Sequence, residues 1–241
     1  MKEKVGKYQF EVVSYQLDFQ GQVPLSLLGY YLLHAASAHA ADRGFGYTEM
    51  TEKRTAWVLS RMAIEITAYP ASSGEVTIYT WVDEVNRLFT SRCFELQRDG
   101  VTFGYARSIW AAIDLETRRP TPLDVVALTP YLSDRPCPIA KPGKIALVEA
   151  KAPAIPYTVR YSDLDINGHL NSIKYIEHLL DLFDIERFRQ QRIGRFEIAY
   201  LSEGRYDMSL SRYMLETAPD LYSMAICHAD KAICRAAVYW Q

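Results

Sequence analysis

Three side chains suited to proton transfer and oxyanion chemistry fall within five residues: Asp165, Asn167 and His169. They alternate with Ile166 and Gly168, so an extended backbone would point all three the same way. The stretch reads Tyr161-Ser-Asp-Leu-Asp-Ile-Asn-Gly-His-Leu-Asn-Ser-Ile-Lys-Tyr175. After it the pattern changes to Ile173, Ile176, Leu179/Leu180 and Phe183, the stripe of an amphipathic helix. A carboxylate, an amide and an imidazole are therefore expected together at the mouth of a helix. Unpaired N–H groups and the positive dipole end there suit an oxyanion. Asp-x-Asn-Gly is equally a common turn, and Asn171 a good helix cap.

The elements that must position this stretch can be read in order. Residues 8–18 read as a strand, and a helix is expected from about Pro24 to Asp42, with Gly44 at its exit. Its stripe of Leu25, Leu28, Leu32 and Ala35/Ala36 runs on to His39. Strand-like runs follow at 55–69, 75–85, 89–98 and 101–115, with turn signals at Ser72-Ser73-Gly74 and Asp99-Gly100. One helix followed by long patterned strands predicts an antiparallel sheet wrapped round that helix, an α+β arrangement. From about Asp134 the texture changes to five prolines (136, 138, 142, 153 and 156), which reads as a surface linker. Beyond it the sequence predicts a short strand at 156–161 and a helix at about 171–188. Strands are expected near 192–202, 205–217, 220–228 and 232–240, the last turn falling at Asp230-Lys231.

The two halves read as copies. Asp18-Phe-Gln-Gly-Gln-Val lies over Asp165-Ile-Asn-Gly-His-Leu at a spacing of 147, keeping the Asp, the Gly and the following helix. Arg61-Met-Ala-Ile-Glu-Ile-Thr-Ala-Tyr69 resembles Arg195-Phe-Glu-Ile-Ala-Tyr200, each followed by a glycine-containing bend at Gly74 and Gly204. Asn167 and His169 correspond to Gln20 and Gln22, which cannot carry a proton, so the first copy is expected to be chemically silent.

Composition bounds the function. The net charge of −2 argues against nucleic acid as the main partner. No stretch approaches the roughly eighteen apolar residues of a membrane span, and Met-Lys-Glu-Lys leads into no apolar signal region, so a cytoplasmic protein is expected. The four cysteines (93, 137, 227 and 234) lack metal or dense disulfide spacing and read as free thiols. His34 and His39 stand five apart, off the spacing of helical metal ligands, so no metal is expected.

The second half resembles the acyl-[acyl-carrier-protein] thioesterases, which carry Ser/Asn-Asp-Leu-Asp-x-Asn-x-His-x-Asn before a helix, here Ser162 to Asn171. In the first half, Trp57-Val-Leu-Ser-Arg-Met62, Thr80-Trp-Val82, Arg107-Ser-x-Trp110 and Thr117-Arg-Arg-Pro120 resemble the family's N-terminal unit. The resemblance implies a tandem hotdog fold: an N-terminal unit over 1–133, a linker over 134–155 and a catalytic unit over 156–241. It implies hydrolysis of fatty acyl thioesters on acyl carrier protein, without a cofactor, and leaves room for a homodimer. Carried over by position, the catalytic residues are Asp165, Asn167, His169 and, after a one-residue gap, Glu203. Plant members carry a Cys after that Glu; here it is Gly204, so a Cys-centred mechanism has no candidate.

For a thioester, Asp165 or Glu203 would attack or deprotonate water. His169 would donate to a carboxylate or the leaving sulfur, and Asn167 would orient water or the carbonyl. The acyl tail is expected along Leu28, Leu32, Ala35 and Ala36. Arg187, Arg189, Arg192 and Arg195 form either a solvated cap on the second helix or a docking patch for the acidic carrier. The rivals are a hotdog acyl-CoA thioesterase and a non-catalytic acyl- or carrier-binding protein.

Overall fold

The computed structural model describes residues 3–148 and 152–241. Met1 and Lys2, part of the N-terminal reading, and 149–151 of the expected linker lie outside the described residues. The chain divides into two compact units, Met1–Lys141 and Pro142–Gln241.

The first unit contains β1 (Gly6–Val12), α1 (Leu25–Ala41), α2 (Tyr47–Glu52), β2 (Thr55–Ile66), β3 (Gly74–Val85), β4 (Thr90–Arg98), β5 (Val101–Asp114), β6 (Pro120–Thr121) and α3 (Val125–Leu128). Its strands run in the order β1-β3-β4-β5-β2, every pair antiparallel, with β6 on β5. α1 lies against β1 and β3. Pro24 caps its start, where a missing N–H costs nothing, and Gly44 leaves its end at φ +78. The helix buries Leu25, Leu28, Tyr31, Leu32, Ala35, Ala36 and His39. Met62, Ile64, Ile78, Phe94 and Leu96 complete the core, at about 1.5–3 kcal/mol for each fully buried large side chain. The first strand ends earlier than the pattern suggests: Ser14–Gln16 form a 3-10 turn, because the Gln16 side chain folds back onto the Val13 N–H.

The second unit contains β7 (Ile155–Thr158), α4 (Ser172–Leu180), α5 (Ile185–Gln190), β8 (Ile193–Tyr200), β9 (Ser209–Ala218), β10 (Leu221–His228) and β11 (Lys231–Trp240). Its strand order is β8-β11-β10-β9-β7, again antiparallel throughout. Ile176, Leu179, Phe196, Ile198, Met224, Ile226 and Val238 form its core. The long second helix expected over 171–188 is two helices. Asp184 caps the second of them by accepting the Glu186 N–H, and Phe183 turns inward against Phe188, Tyr222 and Trp240. The last hairpin turns at Ala229-Asp230, one residue earlier than expected, with Ala229 at φ +49.

The proline-rich stretch is held down by specific side chains. Arg135 pairs with Glu95 and lies over the Tyr79 and Trp81 rings, while Lys141 pairs with Glu84. In the second unit, Gly143 N–H donates to Glu197 at 2.7 Å and Val148 is buried against Ala225, Cys227 and Ala232. None of the four cysteines is in a disulfide.

Candidate functional site

Asp165, Asn167 and His169 lie on a tight turn, not on the extended strand that their alternation suggests. One Asp165 oxygen accepts the N–H groups of Asn167 (2.8 Å) and His169 (3.0 Å). The Asp165 N–H donates to the His169 carbonyl at 2.8 Å, and the Gly168 N–H donates to the Asp165 carbonyl at 3.0 Å. Gly168 sits at φ +74, the left-handed conformation in which a Cβ would be strained. An aspartate that can fold onto the backbone, followed by a glycine, closes the chain before it can run straight. Asn167 stays exposed at the tip, and His169 is half-buried.

The turn leads directly into α4. The Asn171 side chain accepts the Ile173 N–H at 2.8 Å, so that N–H of the helix entrance is used by its own cap instead of waiting for an oxyanion. Leu170 N–H donates to the Gly204 carbonyl at 2.8 Å, which draws the segment after β8 against the turn. The result is the central contact: His169 Nε2 lies 3.3 Å from the Glu203 carboxylate. Arg205 Nη2 lies 3.8 Å from the same carboxylate. The side chains of His169 and Glu203 are 23% and 35% exposed, open to a substrate yet largely shielded from bulk water. Gly204 has no room for a larger residue, since a Cβ there would stand 2.9 Å from the Leu170 Cβ.

Sequence reasoning passed over the support beneath this turn. Asp163 is buried, and its carboxylate takes His178 Nε2 at 2.9 Å, the Arg160 N–H at 2.7 Å and the Tyr157 hydroxyl. Burial alone would raise the Asp163 pKa, but the bonds from Tyr157, Arg160 and His178 together outweigh it and hold the carboxyl below its usual value. Tyr157 also packs on the His178 ring, with centroids 4.0 Å apart. The signal was available: His178 falls on the buried stripe of α4, where a polar side chain must find a partner.

The other expected residues have clear places. Leu28, Leu32, Ala35 and Ala36 are all buried on α1. Arg187 pairs with Asp220 and lies over Tyr222 and Trp240; Arg189 pairs with Glu186; Arg195 meets Glu197 at 2.8 Å. Arg189 and Arg192 are exposed, and Arg192 shows no carboxylate contact among the described residues. His39 is buried with Nδ1 3.0 Å from Arg92, and burial followed by the Arg92 and Arg43 charges lowers its pKa to about 3. Among the described residues no group of three or more His, Cys, Asp or Glu side chains could hold a metal, and no helix is long and apolar enough to cross a membrane.

An antiparallel set of strands packed on a helix in each unit, with an Asp-x-x-Gly turn before each helix, defines a tandem hotdog protein of the α+β class. The descriptions "Acyl-ACP thioesterase N-terminal domain" and "Acyl-ACP thioesterase C-terminal domain" match residues 3–128 and 149–241, and the chain belongs to this family. It is 42% identical to an acyl-ACP thioesterase from Bacteroides thetaiotaomicron of known structure, with a TM-score of 0.93 over 99% of this chain and 98% of that one. A 12:0-ACP thioesterase from Umbellularia californica, at 21% identity, shares the fold over 100% of this chain and 98% of that chain, with a TM-score of 0.87. An acyl-[acyl-carrier-protein] hydrolase of Cuphea viscosissima is 31% identical over 188 residues, 74% of this chain and 46% of the relative. The chain spans about half the length of the curated relatives it matches.

Proposed function

We propose that this chain hydrolyses the thioester of a fatty acyl group carried on acyl carrier protein, releasing the free fatty acid and so ending chain elongation. The observation that carries this reading is the 3.3 Å approach of His169 to Glu203, within a chain of the acyl-ACP thioesterase family. Glu203 accepts a proton from water as the water oxygen bonds to the thioester carbonyl carbon. His169 orients that carboxylate, and the Asn167 amide donates to the carbonyl oxygen as it gains charge. When the C–S bond breaks, the proton held by Glu203 passes to the departing thiolate, leaving a carboxylic acid and a free thiol. Asp165 has one oxygen committed to two backbone N–H groups, which favours a role in holding the turn over direct attack.

The buried α1 residues Leu28, Leu32, Ala35 and Ala36 are the proposed wall for the acyl tail in the first unit. Docking of an acidic carrier on the arginine cluster has less support, because Arg187, Arg189 and Arg195 are already neutralised by carboxylates. A released-thiol assay on matched acyl-carrier-protein and acyl-CoA substrates tests the reading. It predicts a clear preference, about tenfold or more in kcat/KM, for the carrier-bound substrate. Equal or better turnover of acyl-CoA would favour the acyl-CoA rival, and no thiol release from either would favour a binding protein.

A further inference from the structure

Glu203 belongs to a short segment with no regular structure, yet its backbone is fixed on both sides by one atom. The Tyr175 hydroxyl accepts the Gly204 N–H at 2.9 Å and donates to the Ser202 carbonyl at 3.3 Å. A hydroxyl is the group that can serve a donor and an acceptor at once; a phenyl ring could serve neither. The tyrosine is itself immobilised: it is 3% exposed, and its ring meets Tyr200 edge-on with centroids 5.5 Å apart. The Tyr200 hydroxyl in turn donates to the Ser172 carbonyl at 2.9 Å, at the first residue of α4. Burial raises the Tyr175 phenol well above its ordinary value, so the proton needed for the Ser202 bond stays in place.

The first unit supplies a built-in contrast. At the spacing of 147 residues Tyr175 corresponds to Leu28, which has no hydroxyl. The residue in the place of Glu203 is there Tyr69, since Val23 N–H donates to Pro70 as Leu170 N–H donates to Gly204. The clamp is present where the carboxylate is present and absent where it is absent.

We propose that Tyr175 is a positioning residue, whose hydroxyl holds Glu203 in register with His169. This rests on the hydrolytic reading above, so its test includes a readout that does not need turnover. Tyr175→Phe keeps the ring and removes the clamp. On acyl-carrier-protein substrate, kcat should fall about tenfold or more while KM changes less than about twofold. In a Glu203→Gln background the same change should add almost nothing, because the group it positions is already gone. Independently, the His169 imidazole, assigned by NMR through the signal lost in His169→Ala, faces the Glu203 carboxylate, which Arg205 also approaches; the Asp165 carboxylate accepts the His169 backbone N–H. The imidazole titration should move down in Tyr175→Phe, in the direction produced by Glu203→Gln, as the Glu203 carboxylate withdraws. Gly204→Ala, which pushes a methyl into Leu170, should shift it the same way and serves if Tyr175→Phe melts too low to study.

Unchanged kcat in Tyr175→Phe, full additivity with Glu203→Gln, or a His169 titration that ignores both Tyr175→Phe and Gly204→Ala would overturn the proposal. If the wild-type protein releases no thiol, the hydrolytic reading fails while the titration still decides the clamp.

Discussion

The turn at residues 18–22 and the turn at 165–169 are one backbone device built twice. Asp18 accepts the N–H groups of Gln20 and Gln22 at 2.9 Å each, as Asp165 accepts those of Asn167 and His169 at 2.8 and 3.0 Å. Asp18 N–H donates to Gln22, and Asp165 N–H to His169, both at 2.8 Å. Gly21 and Gly168 stand at φ +73 and +74. The differences lie in what the turns carry: Gln22 against His169, Tyr69 against Glu203, Leu28 against Tyr175. Beneath them the first unit has Phe10 stacked on Tyr31 and Gln16 turned back onto the Val13 N–H, where the second has Tyr157, His178 and the Asp163 carboxylate. The turn accounts for the shared aspartate, and the histidine and glutamate, which only the second unit carries, are the residues to which the proposed function gives the chemistry. Two copies of one scaffold separate the cost of building the turn from the use made of it.

That comparison can be broken at several points. The largest effect is expected at the carboxylate. Glu203→Gln should lower turnover by about a hundredfold or more, the scale of losing a general base. Its counterpart Tyr69→Phe should leave turnover within about twofold, as read by thiol release. Next comes the shared aspartate. Asp18→Ala and Asp165→Ala each remove two hydrogen bonds to a charged acceptor, and each should cost stability of about 2 kcal/mol or more in urea melts. Turnover per folded molecule should survive Asp18→Ala and fall about a hundredfold in Asp165→Ala. A silent Asp165→Ala would separate the turn from catalysis.

The support beneath the turn should show itself through pH. Asp163 is held below its ordinary value when folded, so its carboxylate contributes stability above about pH 4, the unfolded range, and loses that contribution as pH falls through the depressed folded value. Thermal melts should find Asp163→Asn less stable than wild type at pH 7, the gap closing on acidification. The neutral Gln16 offers no such dependence, so Gln16→Ala should give a gap that pH does not change. The smallest effect is expected on specificity. Ala35 is fully buried, and Ala35→Leu should cost about 1–3 kcal/mol by overpacking while shifting preference towards shorter acyl chains. An unaltered chain-length profile would return α1 to the role of core alone.

Periodicity made much of this architecture legible. The α1 stripe from Leu25 to His39 and the alternating strands stand close to where the sequence puts them, because burial on one face imposes a regular spacing. Side chains that bond their own backbone were harder to read. Asp165 and Gly168 convert an apparent strand into a turn, Gln16 shortens β1, and Asp184 restarts a helix that an apolar stripe draws as continuous. Gly74, read as the match of Gly204, instead opens β3, and the hydrogen bond from Val23 makes Pro70 the true counterpart. Glu203 was reachable only through resemblance, since its approach to His169 depends on a pairing 34 residues apart in sequence. Tyr175 was hidden because it occupies a place on the buried face of α4 that an apolar residue would fill equally well in a pattern, whereas His178 stood out there as a polar residue in need of a partner.

The most direct test of the account compares His169→Ala with Gln22→Ala in the same thiol-release assay, with folding of both followed by circular dichroism. One scaffold carries the two residues at corresponding places, so a purely structural role predicts similar consequences. The account predicts a fall of more than about a hundredfold in kcat for His169→Ala, and a change within about twofold for Gln22→Ala. Activity that survives His169→Ala but disappears in folded Gln22→Ala would place the chemistry in the wrong unit and contradict it.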